Sequence, residues 1–161
     1  MKSLHWTLVS SQERIGNVVG YTRAVITTSL TKEQTIFYAH PCFQGMEYDW
    51  AMVHFKEQDN FGNEIENYYP SMLLGFVSIN GEHEAIIQCS LKPLSWDHLQ
   101  EKFIVEIELG TNFNVSFVTV PVNSIVHPLC VFPDGEKLNR YYVVFPRRNW
   151  SSFFGNNINQ M

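Results

Sequence analysis

Apolar and polar positions along this chain alternate with a period of two, in short runs broken by turn residues, and that is a strand pattern. Residues 18–28 are rich in valine, isoleucine and threonine, which suit a half-buried pleated surface. Residues 34–40 form a second such run that stops at Pro41, whose ring removes a ladder donor and extends its neighbour. In residues 48–56, Trp50, Met52 and His54 fall on one face, and Asp49, Ala51, Val53 and Phe55 on the other. Residues 57–67 are acidic and contain Asp59-Asn-Phe-Gly-Asn, which predicts a surface loop.

The sharpest local signal lies further on. Asn80-Gly81-Glu82-His83 separates the apolar runs 71–79 and 84–91, and Asn-Gly predicts a hairpin because both residues tolerate positive φ. Gly75 inside the first run predicts a bulge or bend, which a small closed barrel requires. Residues 95–101 are predicted as one short helical turn capped by Ser95. Strand patterns return at 103–109, 115–120, 129–132 and 140–145, with a turn at Pro133-Asp-Gly-Glu. Phe103, Val105, Ile107 and Leu109 share one face of the first of these.

Short strands joined by tight turns, without long helices, predict an all-β domain: a distorted antiparallel barrel with one short helix. The single domain is read as spanning 1–161, with 1–33 as an extra strand or arm and 155–161 as a frayed tail.

Composition narrows the class. The 161 residues are 45% hydrophobic, 14% aromatic and 17% charged, which fits one globular domain and excludes a coiled coil or a collagen. No apolar run is long enough to span a bilayer, and no apolar signal-peptide core follows Met1. Cys42, Cys89 and Cys130 are odd in number and widely spaced, so they read as buried free thiols and not as a disulfide framework. An intracellular, reducing location is expected, and Asn114-Val-Ser and Asn149-Trp-Ser are then chance matches to the glycosylation pattern.

Catalytic signatures are sparse. No Cys-x-x-Cys, His-x-x-x-His or Asp-x-Asp-x-Asp-Gly spacing occurs, so no metal or cofactor is expected. Gly-x-Ser-x-Gly is missing too. A Cys42, His40 and Asp49 nucleophile set can be written down, but nothing sets it above many others, and a non-enzymatic protein is expected.

Charge and aromatics supply the binding candidates. The net charge of −5 argues against phosphate binding over the whole surface. Residues 137–161 hold Lys137, Arg140, Arg147 and Arg148 and no acid, while residues 1–136 carry 7 bases and 16 acids. Arg140, Arg147, Arg148 and Trp150 interleave cations with rings, as a nucleic-acid contact would, or they pair with the acidic body. Tyr48, Trp50, Tyr68 and Tyr69, with Trp96, lie near predicted strand or loop edges. The first four are candidate peptide-binding residues, able to form a methyl-lysine cage if they converge on a barrel rim.

The order of four segments resembles the bromo-adjacent homology domain. These are Asp49-Trp-Ala-Met-Val-His-Phe, Tyr69-Pro-Ser-Met-Leu-Leu-Gly-Phe-Val, Glu84-Ala-Ile-Ile-Gln-Cys, and a closing Val120-Pro-Val-Asn-Ser-Ile followed by Leu129-Cys-Val. The resemblance spans residues 48–145. Tyr48-Asp-Trp and Pro146-Arg-Arg-Asn-Trp are also similar to segments of a β-rich domain in proteins encoded by eukaryotic DNA transposons. These resemblances imply a nuclear, chromatin-linked module that binds a histone peptide or another protein. They carry over no fixed binding residue, and a nucleic-acid module remains the alternative. No membrane partner is expected.

Overall fold

The computed structural model describes residues 12–15, 18–28, 32–39, 49–108 and 117–144. Within them lie twelve strands: β1 (Gln12–Ile15), β2 (Val18–Tyr21), β3 (Arg23–Thr27), β4 (Gln34–Tyr38), β5 (Trp50–Gln58), β6 (Glu64–Ile79), β7 (Glu82–Cys89), β8 (Ser95–Asp97), β9 (Lys102–Glu106), β10 (Val118–Pro121), β11 (Ile125–Pro133) and β12 (Arg140–Val144). One 3₁₀ turn, Val122–Ser124, separates β10 from β11. Every strand pairing is antiparallel.

Ten strands form one strongly curled sheet, in the order β1-β2-β6-β5-β11-β12-β9-β8, with β7 on β6 and β10 on β7. The result is a distorted half-barrel. Its far end bends back toward β6, where the Leu94 N–H donates to the Tyr68 carbonyl (3.1 Å). A separate two-stranded ribbon, β3–β4, packs beside it. Asp49 stitches the two together: its N–H donates to the Tyr38 carbonyl, its carboxylate accepts from the Tyr38 N–H (2.6 Å), and its carbonyl accepts from the Leu73 N–H.

The sheet is buried on both sides along its middle. Inside the half-barrel, Trp50, Met52, Leu94, Phe103, Val105, Ile107, Val126 and Val143 form one core. Ala51, Val53, Leu73, Phe76, Ala85, Ile87, Val120 and Ile125 form the other, closed by Ile26, Phe37 and Ala39 from the ribbon and its exit. The two faces expected for β5 are therefore real, and each belongs to a different core.

Two local expectations hold in detail. Ile79 pairs with Glu82 across a two-residue turn in which Asn80 (φ 52°) and Gly81 (φ 84°) are both left-handed. The register of β6 on β7 slips between Leu73 and Gly75, so the bulge predicted at Gly75 is present.

Three expectations are corrected. Residues 95–101 are no helix: Ser95–Asp97 pairs with β9, and the Asp97 carboxylate, not Ser95, caps the turn by accepting the Leu99 and Gln100 N–H groups. Pairing with β9 satisfies more of the backbone than a single helical turn would. Residues 57–67 are mostly strand, with only 59–63 as loop, because cross-strand partners absorb the charges of the acidic stretch. Cys130 is exposed, since Leu129 and Val131 take the core side of β11, while Cys89 is half-buried. Cys42 and the tail 155–161 lie outside the described residues.

Candidate functional site

The candidate rim residues separate. Trp50 is only 5% exposed and packs against Tyr141 inside the half-barrel, ring centroids 4.9 Å apart. Tyr68 lies on the same side of the sheet, tilted over His54 at 5.3 Å. Tyr69 points the other way, edge-on to Phe55, with its hydroxyl donating to Glu57 (2.8 Å). Tyr48 lies outside the described residues. Trp50, Tyr68 and Tyr69 therefore do not converge on one exposed concavity, because consecutive positions on a strand face opposite ways and the Trp50 face is covered. Trp96 is spent on packing as well, edge-on to Phe103 at 4.9 Å.

Tyr69 anchors a polar group on the outer side of β5–β6–β7. Glu57 accepts from both the Tyr69 hydroxyl and the Asn67 side-chain amide. Burial, then the hydrogen bond to Glu57, pushes the Tyr69 phenol up to about 12. Burial also raises the neighbouring Cys89 thiol, against a lowering hydrogen bond from Ser71. A raised thiol is a poor nucleophile. His40 and Cys42 lie outside the described residues, and the Asp49 carboxylate is engaged by backbone.

Of the basic candidates, Arg140 is described; Arg147, Arg148 and Trp150 are not. The Arg140 side chain is 13% exposed, with Nε 3.5 Å from Asp134 and Nη2 3.9 Å from Asp97. It also lies 6.0 Å from the Tyr142 ring, which Lys102 covers at 4.5 Å. Backbone hydrogen bonding from Glu136 leads the causes that hold the Asp134 carboxyl below its usual range, and Arg140 adds to them. Arg140 is thus used within the fold.

Sequence reasoning missed the groove beside the ribbon. It holds about 230 Å³ and is bounded by Tyr21, Arg23 to Ile26, Phe76, Val77, His83, Glu84 and Val122. Four successive residues of β3 line it, which happens when a strand turns its edge to a cavity, since either face alone supplies every second residue. Among the described strands β3 pairs only with β4, so its groove-side edge has no ladder partner. Apolar surface dominates the lining, and Arg23, His83 and Glu84 supply its basic and acidic side chains. The only sequence signal was the β-branched run 18–28, which gives a strand but not a free edge.

Among the described residues no group of three His, Cys, Asp or Glu side chains is arranged to hold a metal, and no helix is long and apolar enough to cross a membrane. No family model, curated protein or solved structure matches the chain.

Proposed function

We propose that this protein is a non-enzymatic recognition module, nuclear and chromatin-linked, that binds an extended segment of a basic protein such as a histone tail. The segment adds as a strand to the free edge of β3 and seats an apolar side chain in the groove between β3 and the β6–β7 hairpin. The carrying observation is the run Arg23 to Ile26 lining that groove, with no described strand paired to its groove-side edge. Strand addition gives affinity through main-chain hydrogen bonds and specificity through the side-chain pocket. The described residues hold 8 bases and 15 acids, so their field favours a cationic ligand over a phosphate backbone. Glu84 lines the pocket on its hairpin side. The resemblance to bromo-adjacent homology domains supports the choice of a histone peptide, and the internal pairing of Arg140 weakens the nucleic-acid alternative.

The test is calorimetric titration with unmodified and methylated histone-tail peptides. Val25 is 59% exposed, so Val25→Glu should fold normally. Binding by the wild type, reduced tenfold or more by Val25→Glu, supports the reading. Failure of every peptide to bind at low salt, or equal binding by the variant, overturns it.

A further inference from the structure

The β5–β6 hairpin outruns its neighbours. β11 pairs with β5 only over Trp50–Val53, and β7 pairs with β6 only from Ser71 onward. Beyond those points, residues 54–58 and 64–68 pair only with each other among the described strands, and the Leu94 N–H reaches the arm's base at the Tyr68 carbonyl. A two-stranded ribbon is marginal by itself, and here cross-strand contacts brace it. Lys56 lies 3.6 Å from Glu64, His54 lies 3.6 Å from Glu66, and Glu57 holds Asn67 and Tyr69.

Its tip is locked. The Asp59 carboxylate accepts the N–H groups of Phe61 (2.9 Å) and Asn63 (2.8 Å) and the Asn63 side-chain amide (3.3 Å). The Asp59 N–H donates to the Asn63 carbonyl, and Gly62 takes the left-handed φ of 79°. These bonds fix the backbone of Phe61 while leaving its side chain 89% exposed. An exposed apolar side chain is ordinary in isolation. A phenyl group held at the end of a projecting arm is different, because the ordering cost of binding is met in advance. The stretch from His54 to Asn67 carries four acids (Glu57, Asp59, Glu64, Glu66) against one base, Lys56.

We infer that the β5–β6 arm is a docking element that inserts Phe61 into an apolar pocket, rimmed by lysine and arginine, on the folded surface of a basic protein partner. The aromatic anchor supplies affinity once desolvated, and the surrounding carboxylates select a pocket of opposite charge and speed the encounter. The choice of histones as that partner rests on the proposed function; the arm itself is separate from the β3 groove.

The probes are the two tail-less core-histone complexes, the folded dimer and the folded tetramer, which contain the globular histone surface and none of the extended segments the groove would take. Binding of the wild type to either complex at physiological salt is expected, with Phe61→Ser weakening it tenfold or more at an unchanged melting temperature. The double variant Glu64→Gln, Glu66→Gln should weaken it several-fold and flatten its salt dependence. Leu99→Ser, at another exposed tip, should bind as the wild type does. No binding by the wild type, or equal binding by Phe61→Ser, overturns the inference. Tail-peptide binding measured on the same Phe61→Ser protein shows separately whether the groove reading stands.

Discussion

Trp50 and Tyr141, far apart in sequence, meet ring to ring at 4.9 Å, tilted by 52°, inside the half-barrel. The contact joins β5 to β12 across the intervening β11. Deleting the indole by Trp50→Ala should destabilise the fold by about 3–5 kcal/mol, the range for large aromatic-to-alanine changes in cores. Denaturant unfolding reads this directly. A variant as stable as the wild type would mean that the indole is not a core group.

The stitch at Asp49 predicts a pH dependence. Burial raises its carboxyl above the ordinary aspartate value, and the Tyr38 N–H opposes that rise without cancelling it. The folded state therefore holds this proton more tightly than the unfolded chain does. Its contribution to stability is greatest below the unfolded pKa and declines as pH rises through the window up to the folded pKa. Asp49→Asn should remove that decline, so the variant gains on the wild type as pH rises through the window. Urea midpoints measured across it test the sign; a gain for the variant on falling pH would contradict the burial argument.

Asp134 runs the other way. Its carboxyl is held low, first by the Glu136 N–H. The stability it contributes is present above the unfolded pKa and is lost as pH falls through the folded one. Asp134→Asn should therefore cost stability at neutral pH and converge with the wild type in acid. Thermal melts at several pH values provide the check.

Two glycines should respond to alanine by different amounts. A Cβ on Gly81 would meet nothing within 4 Å, yet its φ of 84° strains any L-residue, so Gly81→Ala should cost about 1 kcal/mol. A Cβ on Gly75 would sit 3.6 Å from the Ile86 Cδ1, an ordinary contact, with no positive φ to oppose it. Gly75→Ala should change stability by less than Gly81→Ala does. The reverse order in denaturant unfolding would show that bulge geometry, not turn conformation, sets the cost.

The two ion-paired sites should also differ. Arg140→Gln should lower the melting temperature more than Lys56→Gln, because Arg140 is 13% exposed and bridges two aspartates, whereas Lys56 and Glu64 are 65% and 66% exposed. Equal shifts would mean that Arg140 contributes no more than a solvated pair.

Much of the fold was legible because its causes are local. Asn80-Gly81 makes a two-residue turn wherever two left-handed residues are needed, and alternation along residues 50–55 assigned each side chain to a face. Tyr68 and Tyr69 read together as one rim because the strand was expected to start only at 71; their place inside β6 puts them on opposite faces, which forbids a cage built from both. Segment 95–101 was illegible because a capped helical turn and an Asp-capped hairpin share the same residues, and the pairing partner, β9, decides between them.

Covering of each face was decided only by tertiary structure. A period of two says which residues travel together and not what closes over them, so Trp50 reads equally as rim or core until β12 brings Tyr141 onto it. The same holds for edges. Strand composition is nearly the same at a paired edge and a free one, because ladder hydrogen bonds belong to the backbone. The sequence by itself therefore determined most of the strands, the Asn80-Gly81 turn and the bulge. The long-range order of those strands left β3 open beside a groove and Phe61 at the end of an arm.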